Sequence, residues 1–531
     1  MIREFRHVAL ARFLHRDNRQ IRTKRGQKRH PWNNDAQPMS PASCVRTHRV
    51  LIGLLSVIPL LAFGQTVGVP VGGEIPLTHG LSGDQVLPSV AIGASGGFVV
   101  WQDNATDLAG LGVGARRLDA GLNPVGEKFQ VNVFPGGDQE NARVALLNNG
   151  GAAFVWQGGR AGNQAVYARL ANSDGSFATG DILVSDASLS RKTMVLTNWP
   201  MIRNNKARNM RQRFRHVVEN RHEFAIDPAV TVLADGSIVV AYAGHRRFVT
   251  NSWTLTTDIR WDDPRQRFIT NTYRQPFSIS LRPMQDVYFQ RLSADGSKIG
   301  GETAANVFRD YNQQSPSIAA LPNGGFALCW ISELPVENVA ATPTPQNRAN
   351  TSQIQPRGGR VDVYGRLFGS DGAPIGAEWR INTTNLPCNT PSVIAIAGGF
   401  TVAWSQRDIE RQNGWDVYYR TFDLNGAATS SALRGNTNIY GDQFRASITA
   451  VGERQLLVWS SMGQDGSWEG VYARWLQSGN TISDEFRVNT TTHLRQIQPV
   501  ASGSDTRVAV VWASYAFESG FDLFMQGYRL P

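Results

Sequence analysis

The chain has 531 residues, with 52 Gly, 14 Trp and 18% charged side chains. That length excludes one ordinary core, and so little charge excludes a disordered polyelectrolyte. Three Cys exclude a disulfide-dense scaffold and a four-thiolate zinc ribbon, while the net charge of +10 invites a nucleic-acid partner until its location is considered.

Residues 1–38 are basic and carry no apolar periodicity. They are expected to be an upstream extension before a true start at Met39, or else an unusually long leader. Arg46 and Arg49 precede the apolar run Val50–Gly64, which ends in Ala62-Phe63-Gly64 before Gln65. A charged segment, an apolar run and a small-residue site predict a signal peptide over 39–64, cut after Gly64. An uncut anchor helix is the alternative. The run is short against the roughly 20 residues of a membrane span, and Pro59 interrupts it. No other stretch approaches that length. The sequence therefore predicts a secreted or periplasmic protein with no stable membrane span after cleavage.

From Asp84 onward one unit is written seven times. A short run such as PSVAI (Pro88) or PSIAA (Pro316) comes first. A second run ends in an aromatic: Trp101, Trp156, Tyr242, Trp330, Trp404, Trp459 and Trp512. A third follows, as in DVYFQRL (Asp286), DVYGRLF (Asp362) and GVYARWL (Gly470). Val, Ile, Phe, Tyr and Trp bounded by Gly, Asp, Asn and Pro are strand signals. Asp-Gly pairs at Asp174, Asp295 and Asp371 read as turns, because calcium would need several oxygens at set spacings. A fourth strand is legible in Glu127–Asn132, Gly180–Asp186, Glu378–Thr384 and Asp484–Thr492. Four antiparallel strands per unit predict an all-β, seven-bladed β-propeller over 65–531.

The last unit stops at Pro531 after its third strand, while Pro70–Gly80 looks like the fourth-strand segment Pro124–Gly137. Val67–Gly80 should therefore complete the blade begun near Leu494 and close the ring. The clearest copies, Pro316–Trp330 and Gly470–Thr491, resemble a repeat of bacterial secreted and cell-surface proteins: P-S-V-A-x-L-x-D-G-G-F-V-V-x-W, then G-V-Y-A-R-x-F-D-x-D-G. The resemblance implies a non-enzymatic, extracytoplasmic propeller.

Three insertions break the spacing, at about 187–222, 245–284 and 331–359. The first follows a fourth strand; the other two lie between second and third strands. Those connections have the same parity, so all three should emerge on one face of the ring, over three consecutive blades. Long loops on a rigid scaffold commonly carry function. Leu189–His222 holds nine Lys/Arg against Glu219. The second insertion holds seven Arg against Asp258, Asp262 and Asp263, and alternates as a protruding hairpin would. The third is rich in Pro, Asn, Gln and Thr and reads as irregular. Candidate ligand-binding residues are Arg203, Arg208, Arg211, Arg213, Arg215, Arg246, Arg247, Trp253, Arg260, Trp261 and Tyr273. Arg with interleaved aromatics suits carboxylate, sulfate or phosphate groups; a solvated basic loop is the plainer alternative.

No nucleophile elbow, zincin motif, C-x-x-C or phosphate-cradling loop occurs. No metal or other cofactor is expected; His216, His222 and His245 fall near the insertions without ligand spacing. Asp258, Asp262, Asp263, Glu333 and Glu337 could supply a carboxylate pair for glycoside hydrolysis. Sialidase-type propellers pair an arginine cluster with a tyrosine nucleophile, but their S-x-D-x-G-x-x-W boxes are absent; Gln464–Trp468 only brushes one. The aromatic series should be packing. The third-strand series Arg116, Arg169, Gln290, Arg366, Arg420, Arg474 and Gln526 should pair with neighbouring-blade acids or carbonyls. Cys329 and Cys388 could bridge in an oxidising compartment, if their geometry allows.

Residues 1–49 hold twelve Lys/Arg against three acids, which leaves the rest of the chain close to neutral. The first two insertions are basic, so the remaining ring is acidic. Nucleic acid drops out as a partner. The sequence predicts a monomeric binding protein for an acidic polysaccharide or another extracellular protein. A carbohydrate-active hydrolase or lyase on the same face, or a structural adhesion module, are the rivals.

Overall fold

The computed structural model describes residues 67–531 apart from 79, 106–109, 135, 186–190, 199–201, 204–209, 221–223, 246–250, 263–266, 278–284, 310, 335–359 and 409–413. The extension over 1–38, the signal segment over 39–64 and most of the third insertion lie outside the described residues. Of the eight antiparallel sheets among the described residues, seven are blades that follow in chain order. In blade 1 the strands are Gln85–Gly93, Gly96–Asp103, Gly112–Asp119 and Pro124–Gln130. The inner strands of blades 2 to 7 are Asp138–Leu146, Phe224–Val232, Gln313–Ala320, Cys388–Ile396, Gln443–Val451 and Gln496–Gly503. Each inner strand touches the next, and the seventh touches the first, so the ring is closed. Val69–Pro76 pairs with Gly520–Arg529 as the fourth strand of blade 7, as the two ends of the repeat array require.

The core is not central. Seven apolar clusters each sit between two blades, and each holds one aromatic of the repeat series. Trp101 packs against Val511 and Met525 where blade 1 meets blade 7, and Trp404 packs where blade 5 meets blade 4. All six Trp and Tyr242 are at most 1% exposed. Each large ring therefore fills one wedge, and truncating one to Ala would leave a cavity costing about 3–5 kcal/mol. Cys329 and Cys388 are both buried in the wedge between blades 4 and 5, and both are free thiols.

The P-S-V motif has a geometric cause. In every blade the inner strand carries a bulge, with two residues opposite the single aromatic of the second strand. The first bulge residue has positive φ: Leu87, Asn141, Asp227, Ser315, Thr390, Arg445 and Gln498 lie between 46° and 60°. The second is the Pro or Ala of the motif. Proline has no amide proton to give to a ladder, so a bulge is one of the few sheet positions it tolerates.

Short polar latches join the blades. Ser89, Ser317, Ser392 and Ser447 each accept the amide N–H of the next inner strand through Oγ, at 3.1–3.3 Å. Blades 3 and 7 have Ala229 and Val500 at that position. Thr231 and Ser502, two residues on, make the same bond to the following blade. The third-strand arginines reach two carbonyls at once. Nε of Arg420 donates to Ser430 O at 3.1 Å in its own blade, and a terminal nitrogen donates to Ile381 O of the previous blade at 2.9 Å. Arg116, Arg169, Arg366 and Arg474 repeat that bridge. Carbonyls, not acids, are thus the partners of this series.

The fourth strands are weaker than their sequences suggest. Those of blades 2 and 5 shrink to Ile182–Leu183 and Leu433–Arg434, and that of blade 6 splits into Asn480–Thr481 and Phe486–Arg487. An outermost strand has one ladder partner only, so side-chain caps substitute for part of it. In blade 5, Ser430 Oγ accepts the Thr421 N–H at 2.9 Å.

Removing residues 67–76 should expose the edge of Gly520–Arg529 and convert the protein to self-associating or aggregating material in light scattering; monodisperse monomer would contradict the closure. Arg420→Ala should lower stability by about 1.5–3 kcal/mol in urea unfolding, and Arg420→Lys should not recover it, because an ammonium cannot span both carbonyls.

Candidate functional site

Second-to-third and fourth-to-first connections share one face, and the blades are polar there. Where the fourth strand ends, a side-chain oxygen caps the N–H at the start of the third strand in all seven blades. The acceptors are Asn132, Ser185, Asn306, Asn382, Asn436, Asn489 and Thr78, at 2.7–3.1 Å. The caps Asn306, Asn382 and Asn436 then donate to Asp286, Asp362 and Asp416 at 2.7–2.9 Å. Asp362 is fully buried and also faces Arg360 at 2.6 Å. These acids, of which Asp362 and Asp416 are fully buried, thus serve the frame of the face. The Asp-Gly turns are equally occupied. Asp174 Oδ1 accepts from the Ser176 N–H and hydroxyl at 2.8 and 2.6 Å, which holds its carboxyl below the usual range.

The bulge residues form a second tier near the ends where the inner strands begin. In blades 2 and 3 they are tied together. Asn141 Nδ2 donates to Asp227 Oδ1 at 3.3 Å and to Gln157 Oε1 at 3.0 Å, and the Asp227 N–H donates to the same Gln157 oxygen at 2.8 Å. Gln157 and Gln164 both donate to Glu140 Oε2, at 3.0 and 2.7 Å. This network underlies the two blades that carry the basic insertions. Sequence reasoning missed it; the signal was the departure of ENARV (Glu140) and IDPAV (Ile226) from the common motif.

The insertions themselves join. Met210–Val218 pairs with Asn251–Ile259, and Asn251–Asp262 folds back on Arg267–Phe277 as the expected hairpin. Arg191–Asn198 and Ile202–Arg203 pair with the other side of Met210–Asn220. One five-stranded sheet thus takes strands from the connection before blade 3 and from the connection within it. The first insertion was not expected to form strands.

Register sorts the candidate residues. Arg213 lies opposite Thr256, which lies opposite Tyr273; Arg211 lies opposite Asp258, and Arg215 opposite Thr254. Strand alternation puts Arg211, Arg213, Arg215, Arg260, Arg267 and Tyr273 on one face. Trp253 and Trp261 fall on the other, with Arg203, Phe214, Leu255, Ile259 and Phe268. The register therefore divides the set between a basic face and a mainly apolar one. Arg208, Arg246 and Arg247 lie outside the described residues, as do His222, Asp263 and Glu337. Glu333 accepts a hydrogen bond from Asn312 Nδ2 at 2.8 Å. His245 is buried beside Phe224. No group of three or more His, Cys, Asp or Glu able to hold a metal occurs among the described residues.

Blade 6 adds an acid that sequence reasoning passed over. Glu469 is 7% exposed, with Oε2 3.8 Å from Arg495 Nε, and that guanidinium lies 4.7 Å over the half-exposed ring of Trp468. Burial pushes the Glu469 carboxyl up, and Arg495 offsets only part of this.

No protein family matches the chain, and no curated protein does. Among solved structures it is similar to a Dyadobacter fermentans protein of unknown function, at 10% identity and TM-score 0.44 over 88% of this chain and 100% of that one. It is also similar to the GH93 alpha-L-arabinofuranosidase of Fusarium graminearum, at 11% identity and TM-score 0.40 over 77% and 97% of the two chains. The acylaminoacyl peptidase of Pyrococcus horikoshii aligns at 9% identity and TM-score 0.42 over 85% and 52%. Likeness at this level carries nothing about activity.

A carboxyl whose folded pKa is raised binds its proton more tightly folded than unfolded. Stability is then lost as pH rises from the unfolded value through the folded one, and the cost is present at neutral pH. Glu469→Gln should therefore raise the unfolding midpoint at pH 7 and have no effect below about pH 4. An equal gain at both pH values would assign it to packing.

Proposed function

We propose that this chain is an exported propeller that binds an acidic polysaccharide on the basic face of the insertion sheet. The observation behind the proposal is the pairing of Met210–Val218 with Asn251–Ile259, which joins two separately basic insertions into one surface. Arg211, Arg213 and Arg215 stand two residues apart on one strand, so successive positions lie about 7 Å apart along it. Arg260 and Arg267 extend the same face. A linear polyanion meets such a row with several bidentate contacts, each modest in water and additive along the chain. The ring is acidic outside the insertions, which disfavours polyanion binding elsewhere on it. Export follows from the charged segment and apolar run before Gln65, and the repeat resemblance agrees with it. An acidic extracellular protein is the other polyanion such a face fits.

A hydrolase on the same side of the ring is the second reading, favoured by Glu469. A buried carboxyl with a raised pKa beside an exposed Trp is the kind of group that serves as a general acid toward a sugar.

Arg211, Arg213 and Arg215 replaced together by Ser should abolish retention on an acidic-glycan array and leave the far-ultraviolet spectrum unchanged. Wild-type retention should fall steeply with salt. Undiminished binding by the triple variant would refute the site. A polysaccharide activity screen with Glu469→Gln, Asp258→Asn and Asp263→Asn decides for or against the hydrolase.

A further inference from the structure

Five blade junctions contain the same guanidinium socket, built from two carbonyls and, in several blades, an aromatic face. The terminal nitrogen of the third-strand arginine donates to the carbonyl just before the capping residue of the previous blade: Leu77, Val131, Ala305, Ile381 or Gly435, at 2.7–3.1 Å. Nε donates to a carbonyl in its own fourth strand, such as Gly126 or Gly376, at 3.3 and 3.1 Å. In blades 4 and 5 the ring two residues on lies under the guanidinium, Phe368 at 5.6 Å and Phe422 at 5.4 Å.

At the junction between blades 6 and 7, which the N-terminal strand Val69–Pro76 helps to build, the frame is present and the arginine is not. Gln526 stands in its place. Val488, just before the cap Asn489, holds the previous-blade carbonyl. Gly72 in Pro70-Val71-Gly72 matches Gly126 in Pro124-Val125-Gly126 and Gly376 in Pro374-Ile375-Gly376. All three glycines share a left-handed φ, 69°, 69° and 75°, so their carbonyls are set by the same turn of backbone. Tyr528 occupies the place of Phe368 and Phe422. The shorter Gln526 amide donates to Gly527 O at 2.9 Å and reaches Gly72 O only at 3.5 Å, and none of its hydrogen bonds goes to Val488. A cleft of about 410 Å³ opens there, lined by Val488, Gly72, Gln526 and Tyr528, with Trp475 and Phe486. That volume lies within the roughly 300–1,000 Å³ of small-ligand pockets. Arg487 also borders the cleft, but its Nε is held by Asn489 O at 2.9 Å. In blade 3, where Gln290 replaces the arginine, its hydrogen bonds stay with Arg291, Ile299 and Gly300 of its own blade.

We propose that the cleft between blades 6 and 7 is a binding site for a guanidinium group supplied from outside the chain. The donors of the incoming group face Val488 O and Gly72 O, and its plane stacks on Tyr528, as the protein's own arginines do elsewhere. A planar cation with a donor fork fits two carbonyls over an aromatic face; a compact ammonium does not span them. The site is distinct from the insertion sheet and takes a ligand of opposite charge.

The test is saturation-transfer NMR on the full-length protein with agmatine and, separately, with the peptide amide Gly-Arg-Gly. Their lysine-type counterparts, cadaverine and Gly-Lys-Gly amide, are the controls. The guanidinium probes should receive transfer from wild type, and the Gln526→Arg variant, which fills the socket itself, should lose it. Its unfolding midpoint should also rise. Should that variant fail to fold, Gln526→Lys occludes the cleft with a slimmer chain and should lose the transfer likewise. Transfer to agmatine supports a free small molecule as the ligand; transfer to the peptide alone supports a protein arginine. No transfer from wild type, equal transfer to the lysine-type probes, or undiminished transfer from a folded Gln526 variant would overturn the site.

Discussion

A blade of this ring has no stable face of its own; it is completed only by a neighbour on each side. Every aromatic wedge lies between two sheets, and none lies within one. The whole fold therefore depends on the chain meeting itself, which it does where Val69–Pro76 joins Gly520–Arg529 and where Trp101 of the first blade packs on Val511 and Met525 of the last. A linear array of the same units would leave two half-wedges and two strand edges in water. Closure removes both at once, so the seventh junction stabilises the other six.

The junctions are held by side chains only a few bonds from the backbone. Serine hydroxyls accept inner-strand amides, arginines bridge outer carbonyls, and fourth-strand acids accept amides of the preceding blade. Glu378 binds the N–H groups of Val307 and Phe308, and Asp181 those of Val133 and Phe134. None of these latches involves the long connections. One face can therefore carry long loops without loosening the ring. The two basic insertions use that freedom on adjacent connections and find each other as strands.

Repetition made the blades legible in the sequence. Three strands and an aromatic recurring seven times leave few alternatives, and the complementary ends made closure an expectation before any coordinates. The latches were not legible, because the meaning of Ser317 or Arg420 depends on which amide or carbonyl the next blade presents. The bulge was half visible: the proline of the motif and the Trp of the second strand recur in step, but only the register shows that one stands opposite the other. In the first insertion, arginine hid the strand. Met210, Gln212, Phe214 and His216 alternate with Arg211, Arg213, Arg215 and Val217, a period of two that is easily taken for plain basicity. The same alternation explains why the candidate residues separate. Composition counts arginines and tryptophans together, whereas a strand assigns odd and even positions to opposite faces.

The junction between blades 6 and 7 shows how redundancy releases a position from structural duty. It keeps its aromatic cluster around Trp475, Trp512 and Tyr528, and Asn489 caps Val471 as in other blades. Glu74 accepts from Thr490 and Thr491, and Arg454 of blade 6 donates to Val67 O at 2.5 Å. With those bonds in place, the guanidinium bridge is one latch among several. Losing it costs about the worth of a charged hydrogen bond, not the junction. Position 526 can then differ from Arg420 or Arg366 without opening the ring. What remains is a binding frame whose carbonyls and aromatic face are still fixed by their neighbours. Pre-organisation of that kind is what a ligand site needs and what a loosely packed gap would lack.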